Sequence, residues 1–450
     1  MSTKSTKTNA LTELLATLAA REDTPVPQGR LSRMTRMVAT SMGAGLSAVS
    51  GRLRGRGSGG LDSIDIDRIK KLVANLGELK GLAMKMGQIM SYIDDTLSPE
   101  TRELLALLQT QSQPSSWETV SRTLRENLPE KAEELLVGMD RPPVSVASIG
   151  QVHHARLADG RELAVKILHP GVREALVADF STAKIGPVVA RLMLPGGVET
   201  MKGFIDEMRE RMLEECDYTL EAKWQTRFGK LYADDSRVIV PRVWEKFSTS
   251  AVLATDWEEG LSFEDFLASD PSPELRNAMG RTLFDVYFGT LYRHGIFHAD
   301  PHPGNYAFRD DGTLVLYDFG CMREFDKQSV RALAELAHAV ADDREAAVRQ
   351  AFTRIGGQIP DDPASYKHVR ELLRGFFRPL LTPGVQRIDA GVNLAMGEVI
   401  RDKRMLMRLK LPGKLMFLFR IRFGLYAVLA RLGSQCDWAA MERALADQAL

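Results

Sequence analysis

The amino-acid sequence predicts an α+β protein with two lobes and a helical extension before them. Apolar residues recur at three- and four-residue steps from Ile64 to Leu108, which is the periodicity of an amphipathic helix. Short apolar runs of strand length then crowd into residues 144–168, and helical patterns dominate again from Phe263 onward. Strands followed by helices along one chain are typical of a fold in which the two kinds of element are segregated.

The order of these patterns divides the 450 residues into four regions. We expect a basic leader, a helical extension, a strand-bearing lobe with a helical insertion, and a helical lobe, at residues 1–60, 61–140, 141–260 and 261–450. The leader carries arginines beside a stretch of small apolar residues. That composition suits either a flexible tail or a segment that lies on an anionic membrane surface.

Composition excludes several classes of protein. No stretch offers about 18 uncharged apolar residues, so no transmembrane helix is predicted. The best candidate, Leu411–Leu432, contains Pro412 and several charged residues, and its pattern favours a buried or amphipathic helix. Basic and acidic residues both total 59, and a net charge of zero argues against binding to nucleic acid. Three widely spaced cysteines favour a reducing, cytoplasmic compartment.

A β-hairpin is predicted at the start of the strand-bearing lobe. Its strands are Val144–Ala155 and Leu163–Leu168, and the turn at Asp159-Gly160 suits positive φ angles. The second strand carries Lys166 among apolar neighbours, and burial of an unpaired ammonium group is costly. We therefore expect Lys166 to contact the phosphates of a nucleotide while it pairs with a helix glutamate. The alternative is an edge-strand lysine that points to water.

A glutamate partner for this lysine is available further along the chain. Glu215, Asp217 and Glu221 follow one another on what the pattern predicts to be a single helix. Without the lysine, the same charges would indicate a solvated helix face. About 55 residues separate the lysine from Glu221, which predicts an inserted pair of helices. Another continuous helix is predicted over Glu118–Leu136.

Two loops late in the chain carry residue types that suit a metal-bound phosphate. In the segment FHADPHPGN, Asp300 and Asn305 have the spacing of the kinase catalytic loop, in which the aspartate orients a hydroxyl and the asparagine holds a metal ion. An apolar strand then delivers Asp318, followed by Phe319 and Gly320, as in the kinase segment whose aspartate binds Mg²⁺. Each loop alone is compatible with an ordinary turn, but both together indicate a site for Mg²⁺ and ATP.

The segment that precedes the lysine strand is the candidate for covering the phosphates. The residues expected to approach the nucleotide are Ala147, Ser148, Ile149 and Gly150. A protein kinase has three glycines in the corresponding loop, which let the backbone approach phosphates closely. A single glycine makes this loop stiffer and weakens the assignment as an ordinary protein kinase.

Together with one further motif, these residues resemble the UbiB/AarF-type atypical kinases, a family linked to ubiquinone and other isoprenoid-lipid pathways. The motif is Lys85-Met86-Gly87-Gln88, which is similar to the family's Lys-x-Gly-Gln signature. The family's Glu-x-Asp signature resembles Glu215-Cys216-Asp217, and its nucleotide-site motifs resemble the segments described above. The resemblance covers roughly residues 64–330.

The resemblance implies a protein-kinase-like fold that binds ATP or ADP with Mg²⁺. It also implies a regulatory role for the Lys85–Gln88 helix, which would fold over the active site and bring Lys85 to Glu215. A protein substrate would then have no room, so an ATPase or a small-molecule kinase is expected. By itself, Lys85 would be interpreted as a surface lysine whose stem lies along an apolar face.

The resemblance implies several partners and leaves two alternative functions open. A nucleotide, an isoprenoid or quinone lipid, the proteins of a biosynthetic complex and peripheral contact with the inner membrane face are expected, without nucleic acid. One alternative is a small-molecule phosphotransferase of the aminoglycoside-kinase type, which lacks the Lys85–Gln88 helix. The other is a lipid-binding chaperone in which ATP acts only as a switch.

Overall fold

The computed structural model describes residues 114–147, 149–181, 209–210, 212–388 and 413–450. The expected basic leader and the Lys-x-Gly-Gln helix lie outside these ranges. Residues 182–208 of the expected insertion also lie outside them. Among the described residues, strands come first and helices later, around two separate apolar cores. The predicted two-lobed α+β architecture is confirmed, whereas the boundaries of the four regions remain predictions.

The first lobe is built on a four-stranded antiparallel sheet. Its strands, in spatial order, are β1 (Ser145–Val146), β2 (Gly150–Arg156), β3 (Glu162–Leu168) and β5 (Val252–Asp256). The helices of this lobe are α1 (Trp117–Asn127), α2 (Ala132–Leu136), α3 (Val172–Ser181) and α4 (Tyr218–Leu231). A 3₁₀ turn, Glu245–Phe247, precedes β5.

The predicted hairpin is confirmed, because β2 and β3 pair along their whole length. Its turn places Gly160 at a φ of 86°, a conformation that residues with a Cβ atom rarely adopt. Along β3, Leu163, Val165 and Ile167 are buried in the apolar core that includes residues of α1 and α2. Because side chains alternate along a strand, Lys166 faces away from that core.

The single helix predicted for Glu118–Leu136 is wrong, because the structure has α1 and α2 in its place. The chain leaves the helical conformation at Leu128, which has a φ of −134° and a ψ of 59°. Pro129 follows directly, and the ring of a proline disfavours helical geometry in the preceding residue. The break therefore has a local steric cause.

The second lobe is mainly helical. Its helices are α5 (Phe263–Ala268), α6 (Pro273–Phe284), α7 (Thr290–His294), α8 (Lys327–Ala341), α9 (Glu345–Arg354), α10 (Pro363–Phe376), α11 (Gly413–Leu432) and α12 (Trp438–Asp447). Its strands are β4 (Val238–Ile239), β6 (Ile296–His298), β7 (Tyr306–Phe308), β8 (Leu314–Leu316), β9 (Met322–Glu324), β10 (Gln386–Arg387) and β11 (Gln435–Cys436). Strands β4, β8 and β7 form one sheet, β6 pairs with β9, and β10 pairs with β11. A π-helical turn, Asp285–Gly289, joins α6 to α7.

The candidate helix at the C-terminal end of the chain is present as α11. Most of its described side chains are buried or half-buried and Arg431 is exposed, which agrees with the expectation of a buried or amphipathic helix. None of the helices that the structure describes combines the length and the apolar character needed to cross a bilayer.

An ion pair with no solvent exposure on either side joins α11 to α12. The Arg422 guanidinium donates to the Glu442 carboxylate at 2.7 Å, and it also donates to the Tyr426 hydroxyl at 2.9 Å. The rings of Phe288 and Phe376 lie 4.1 and 4.3 Å from the guanidinium carbon. Cation–π contacts and charge-assisted hydrogen bonds together compensate for part of the desolvation of the arginine.

We predict that Glu442→Gln destabilises the protein by about 3–5 kcal/mol, because it leaves the Arg422 charge buried without a counter-ion. Replacement of both partners, as Arg422→Met with Glu442→Leu, should recover most of that loss, since apolar side chains of similar size need no counter-ion. Denaturant unfolding measures both effects.

The control is Glu264→Gln, which removes a carboxylate from a surface pair with Arg431 whose side chains are 70% and 51% exposed. This change should cost at most about 1 kcal/mol. A double variant as unstable as Glu442→Gln alone would contradict the prediction.

Candidate active site

Three charged side chains from distant parts of the chain meet where the two lobes face each other. The Lys166 ammonium on β3 donates to both carboxylate oxygens of Glu221 on α4, at 2.8 and 2.9 Å. It also donates to Oδ2 of Asp318, directly after β8, at 3.0 Å. The Glu221 side chain is buried, and Lys166 is only 18% exposed. The alternative of a lysine that points to water is therefore wrong.

The charges of this cluster shift one another's pKa values. Burial alone would lower the pKa of Lys166, but the Asp318 and Glu221 carboxylates outweigh burial and hold it well above its ordinary value. Burial raises the pKa of Glu221, since the nearby ammonium group only partly compensates for it. Burial acts in the same direction on Asp318, but the Lys166 charge prevails and holds the pKa of Asp318 below its usual range. Asp318 is thus the more acidic of the two carboxyl groups.

The glutamate reaches the lysine because α4 begins at a defined point. Asp217 is extended, and its carboxylate accepts from the backbone N–H of Thr219 at 3.0 Å, which caps the helix. Glu215 lies before this cap, in a separate helical turn over residues 212–215. The prediction that Glu215, Asp217 and Glu221 share one helix is therefore wrong. The reason is local, because the Asp217 side chain starts a new helix.

The second candidate pair lies in the loop after β6. Asn305 ends a 3₁₀ turn and donates from Nδ2 to the Asp300 carboxylate at 2.9 Å and to the Asp300 carbonyl at 3.1 Å. This orientation directs the amide nitrogen of Asn305 to Asp300 and leaves its amide oxygen for another ligand. The other carboxylate oxygen of Asp300, Oδ1, is buried and has no hydrogen-bond partner among the described residues.

Two residues that the sequence analysis did not single out hold these loops together. His298 accepts from the Asp300 N–H at Nδ1, 3.2 Å away, and donates from Nε2 to the Asp318 carbonyl at 2.6 Å. Tyr287, on the π-helical turn, donates to the Asp300 carbonyl at 3.0 Å. The position of His298 in the kinase-like loop pattern is a signal that could have identified it. No sequence pattern points to Tyr287, because a π-helical turn has no recognised signature.

The expected phosphate-covering loop turns tightly at the start of β2. The Ala147 N–H donates to the Gly150 carbonyl at 2.8 Å, and Ile149 is buried, whereas Ser148 lies outside the described residues. A Cβ atom on Gly150 would lie 2.5 Å from the Tyr218 hydroxyl, so only glycine fits there. That buried hydroxyl has no hydrogen-bond partner among the described residues.

The structure thus places most of the candidate residues in two connected groups. Lys166, Glu221 and Asp318 are in direct contact, Asp300 and Asn305 form a second pair, and His298 bridges the two groups. Lys85, Gly87 and Gln88 lie outside the described residues, so the predicted contact of Lys85 with Glu215 stays a prediction. No group of three or more His, Cys, Asp or Glu side chains among the described residues is arranged to hold a metal ion.

We predict that Lys166→Met lowers the free energy of unfolding by about 3 kcal/mol near neutral pH, because two carboxylates then face each other without a cation. The loss lies at the lower end of the range for buried pairs, since Asp318 is 35% exposed. Without the ammonium group, the pKa of Glu221 rises further, so the folded state binds a proton that the unfolded state releases. The deficit should therefore shrink as the pH falls from about 7.5 to about 5.5.

Denaturant unfolding at the two pH values tests the direction of this pH dependence. Lys246→Met is the matched control, because Lys246 pairs with Glu134 at 2.9 Å and the two side chains are 38% and 43% exposed. Its effect should be small and independent of pH over the same interval. If the loss of stability in Lys166→Met stays constant or grows as the pH falls, the predicted link between Glu221 protonation and stability is wrong.

Comparison with known proteins places the chain in a family. Residues 107–352, more than half of the chain, match the family model of the ABC1 atypical kinase-like domain. A solved Mycobacterium tuberculosis structure, of Rv3197 in complex with erythromycin, is similar with a TM-score of 0.62 and 30% identity. The similarity covers 85% of this chain and 96% of that one.

Curated relatives support the same assignment. A chloroplastic aarF domain-containing protein kinase of Arabidopsis thaliana is 30% identical over 80% of this chain and 48% of its own length. The mitochondrial atypical kinase COQ8B of Danio rerio is 26% identical over 70% of this chain and 52% of its own length. The chain therefore spans about half the length of these relatives. On the family model and these similarities, the chain belongs to the ABC1 atypical kinase-like family, as the resemblance had suggested.

Proposed function

We propose that this protein binds Mg²⁺ and ATP and transfers or hydrolyses the terminal phosphoryl group. The observation that carries the proposal is the Lys166 ammonium held between Glu221 and Asp318. A lysine fixed by a helix glutamate, beside the aspartate of an Asp-Phe-Gly segment, is the arrangement that phosphoryl-transfer enzymes of the kinase type require.

The residues present fit both the metal ion and the nucleotide. Asp318 and Asn305 would hold Mg²⁺ through a carboxylate and an amide oxygen, which are ligand types that the ion prefers. Two protein ligands suffice in kinases, since phosphate oxygens and waters complete the coordination. When bound, the ion neutralises charge on the phosphates. The unpartnered Tyr218 hydroxyl, buried beneath the covering loop, is a further donor that a phosphate oxygen would satisfy.

The remaining steps belong to side chains of the two lobes. Lys166 neutralises phosphate charge, and Glu221 keeps its ammonium group in place. Asp300 orients the attacking hydroxyl or water through its free oxygen Oδ1, while Asn305 and His298 fix the loop that carries it. This chemistry requires positioning and charge neutralisation more than covalent participation by the protein.

The physiological setting is proposed from the family. The relatives include atypical kinases named COQ8B, which supports a role in ubiquinone or other isoprenoid-lipid metabolism. A quinone or isoprenoid lipid, a biosynthetic complex and a membrane surface are the corresponding partners. The basic leader at residues 1–60 is the candidate for membrane contact, which would be peripheral on the inner face of the membrane.

A small-molecule phosphotransferase is the second candidate. The similar structure from Mycobacterium tuberculosis was solved with erythromycin, which supports small-molecule binding in this fold. Mass-resolved analysis of the products separates the candidates, since free phosphate alone indicates hydrolysis and a phosphorylated molecule indicates transfer.

We predict that Asp318→Asn lowers Mg²⁺-dependent ATP turnover by roughly 100-fold or more, because the metal loses its only carboxylate ligand in the proposed site. Asp310→Asn is the matched control, since Asp310 is exposed on the turn between β7 and β8 and should leave turnover unchanged. Phosphate release and the thermal unfolding of both variants are the measurements. Undiminished turnover in folded Asp318→Asn would reject the proposed function.

A further inference from the structure

The segment that joins β5 to α5 is tied to the hairpin of the second lobe. Leu261 and Phe308 exchange two backbone hydrogen bonds, of 2.8 and 2.9 Å. Arg309, at the end of β7, donates from Nε to the Glu259 carbonyl at 2.8 Å. Tyr317, directly after β8, donates its hydroxyl to the Glu258 carbonyl at 2.8 Å. We call residues 257–261 the linker. Two of its carbonyl groups are bound by side chains of the second lobe.

The linker lies within the reach of a nucleotide bound at the charged cluster. Lys166 stands opposite Leu253 in the register of β3 and β5, and Glu258 follows Leu253 by five residues. Five residues of extended chain span about 16 Å at most. A nucleotide whose phosphates lie at Lys166 and Asp318 would therefore direct its base toward the linker.

Tyr317 lies between the charged cluster and the linker. It immediately precedes Asp318, and its backbone N–H donates to the Asn305 carbonyl at 2.9 Å. The preceding residue, Leu316, is buried in the core of the second lobe, whereas Tyr317 is 38% exposed. Its side chain therefore spans from the proposed metal-binding residues to the linker, along the path that a nucleoside would follow.

Tyr317 competes with a bound adenine base for a hydrogen-bond acceptor on the linker. An adenine base carries an exocyclic amino group, which needs an acceptor when it is removed from water. The backbone carbonyl groups of the linker are the available acceptors. Of these, the Glu258 carbonyl already accepts from Tyr317, and the Glu259 carbonyl already accepts from Arg309. A carbonyl oxygen has a second lone pair, so competition weakens the contact with adenine without abolishing it. A 6-oxopurine such as hypoxanthine has an oxygen in place of that amino group, and the oxygen cannot donate to the carbonyl.

We propose that Tyr317 sets the nucleobase preference of the site, because its hydroxyl occupies the Glu258 carbonyl that the amino group of adenine would otherwise use. The inference rests on the proposed function, since it requires a nucleotide bound at Lys166 and Asp318. In the native protein, Tyr317 therefore limits the preference for adenine over 6-oxopurine nucleotides.

The test compares binding of ATP and ITP, each with Mg²⁺, to the full-length protein by titration calorimetry. Tyr317→Phe frees the Glu258 carbonyl and keeps the ring, so the ratio of ATP affinity to ITP affinity should rise about two- to tenfold, the range of one net hydrogen bond. The ratio is the decisive readout, because a general loosening of the structure would change both affinities equally.

Two controls separate competition from loosening. Arg309→Gln removes the bond to the Glu259 carbonyl and the ion pair with the Glu258 carboxylate, which loosens the linker, but it leaves the Glu258 carbonyl bound to Tyr317, so the ratio should stay at the native value. Tyr366→Phe removes a hydroxyl on α10, and neither affinity should change. An unchanged ratio in Tyr317→Phe, or a lower one, overturns the inference, as does an equal rise in Arg309→Gln.

Failure of the inference and failure of the proposed function give different results. If the native protein binds and turns over ATP with Mg²⁺ and Asp318→Asn does not turn it over, the proposed function holds, and the ratio in Tyr317→Phe alone decides the inference. If the native protein binds neither nucleotide, the proposed function and the inference fall together.

Discussion

The contact of the Lys166 ammonium with two carboxyl groups is the interaction on which the rest of the site depends. It is the point at which β3, α4 and the segment after β8 converge, so it joins the two lobes as well as the candidate residues. One cation faces two carboxyl groups, so their negative charge is only partly neutralised. The remaining negative charge belongs mainly to Asp318, which is the more acidic of the two groups. That imbalance suits a site whose ligand brings a divalent cation together with phosphate anions.

The second lobe provides a rigid support for the acidic half of this contact. His298 connects the loops of Asp300 and Asp318, and Tyr287 anchors the first of them from a π-helical turn. Irregular turns of this kind are frequent at functional sites, because they re-aim a side chain inside an otherwise regular helix. Further from the site, the buried ion pair of Arg422 and Glu442 holds the C-terminal helices together. Such support suits the proposed phosphoryl transfer, because that chemistry depends on accurate positioning.

Family membership and site chemistry answer different questions. The match over residues 107–352 shows the family, and the fold that accompanies it is common to proteins with different substrates. The chemistry of the site depends on individual side chains, such as the tyrosine that precedes the Asp-Phe-Gly segment and bonds to the linker. A shared fold alone does not specify such side chains.

The sequence by itself determined the local elements and the residue types of the site. The hairpin carrying Lys166, the Asp300–Asn305 spacing and the strand before Asp318 were predictable, because strand alternation and turn chemistry act over a few residues. The sequence did not show where α4 begins or that Glu118–Leu136 contains a break, since caps and a single proline outweigh periodicity. The sequence predicted a helix glutamate as the partner of Lys166, but only the tertiary structure decided that Glu221 and Asp318 both contact it, across separations of 55 and 152 residues. Contacts at such separations depend on how two apolar cores pack, which no local pattern encodes.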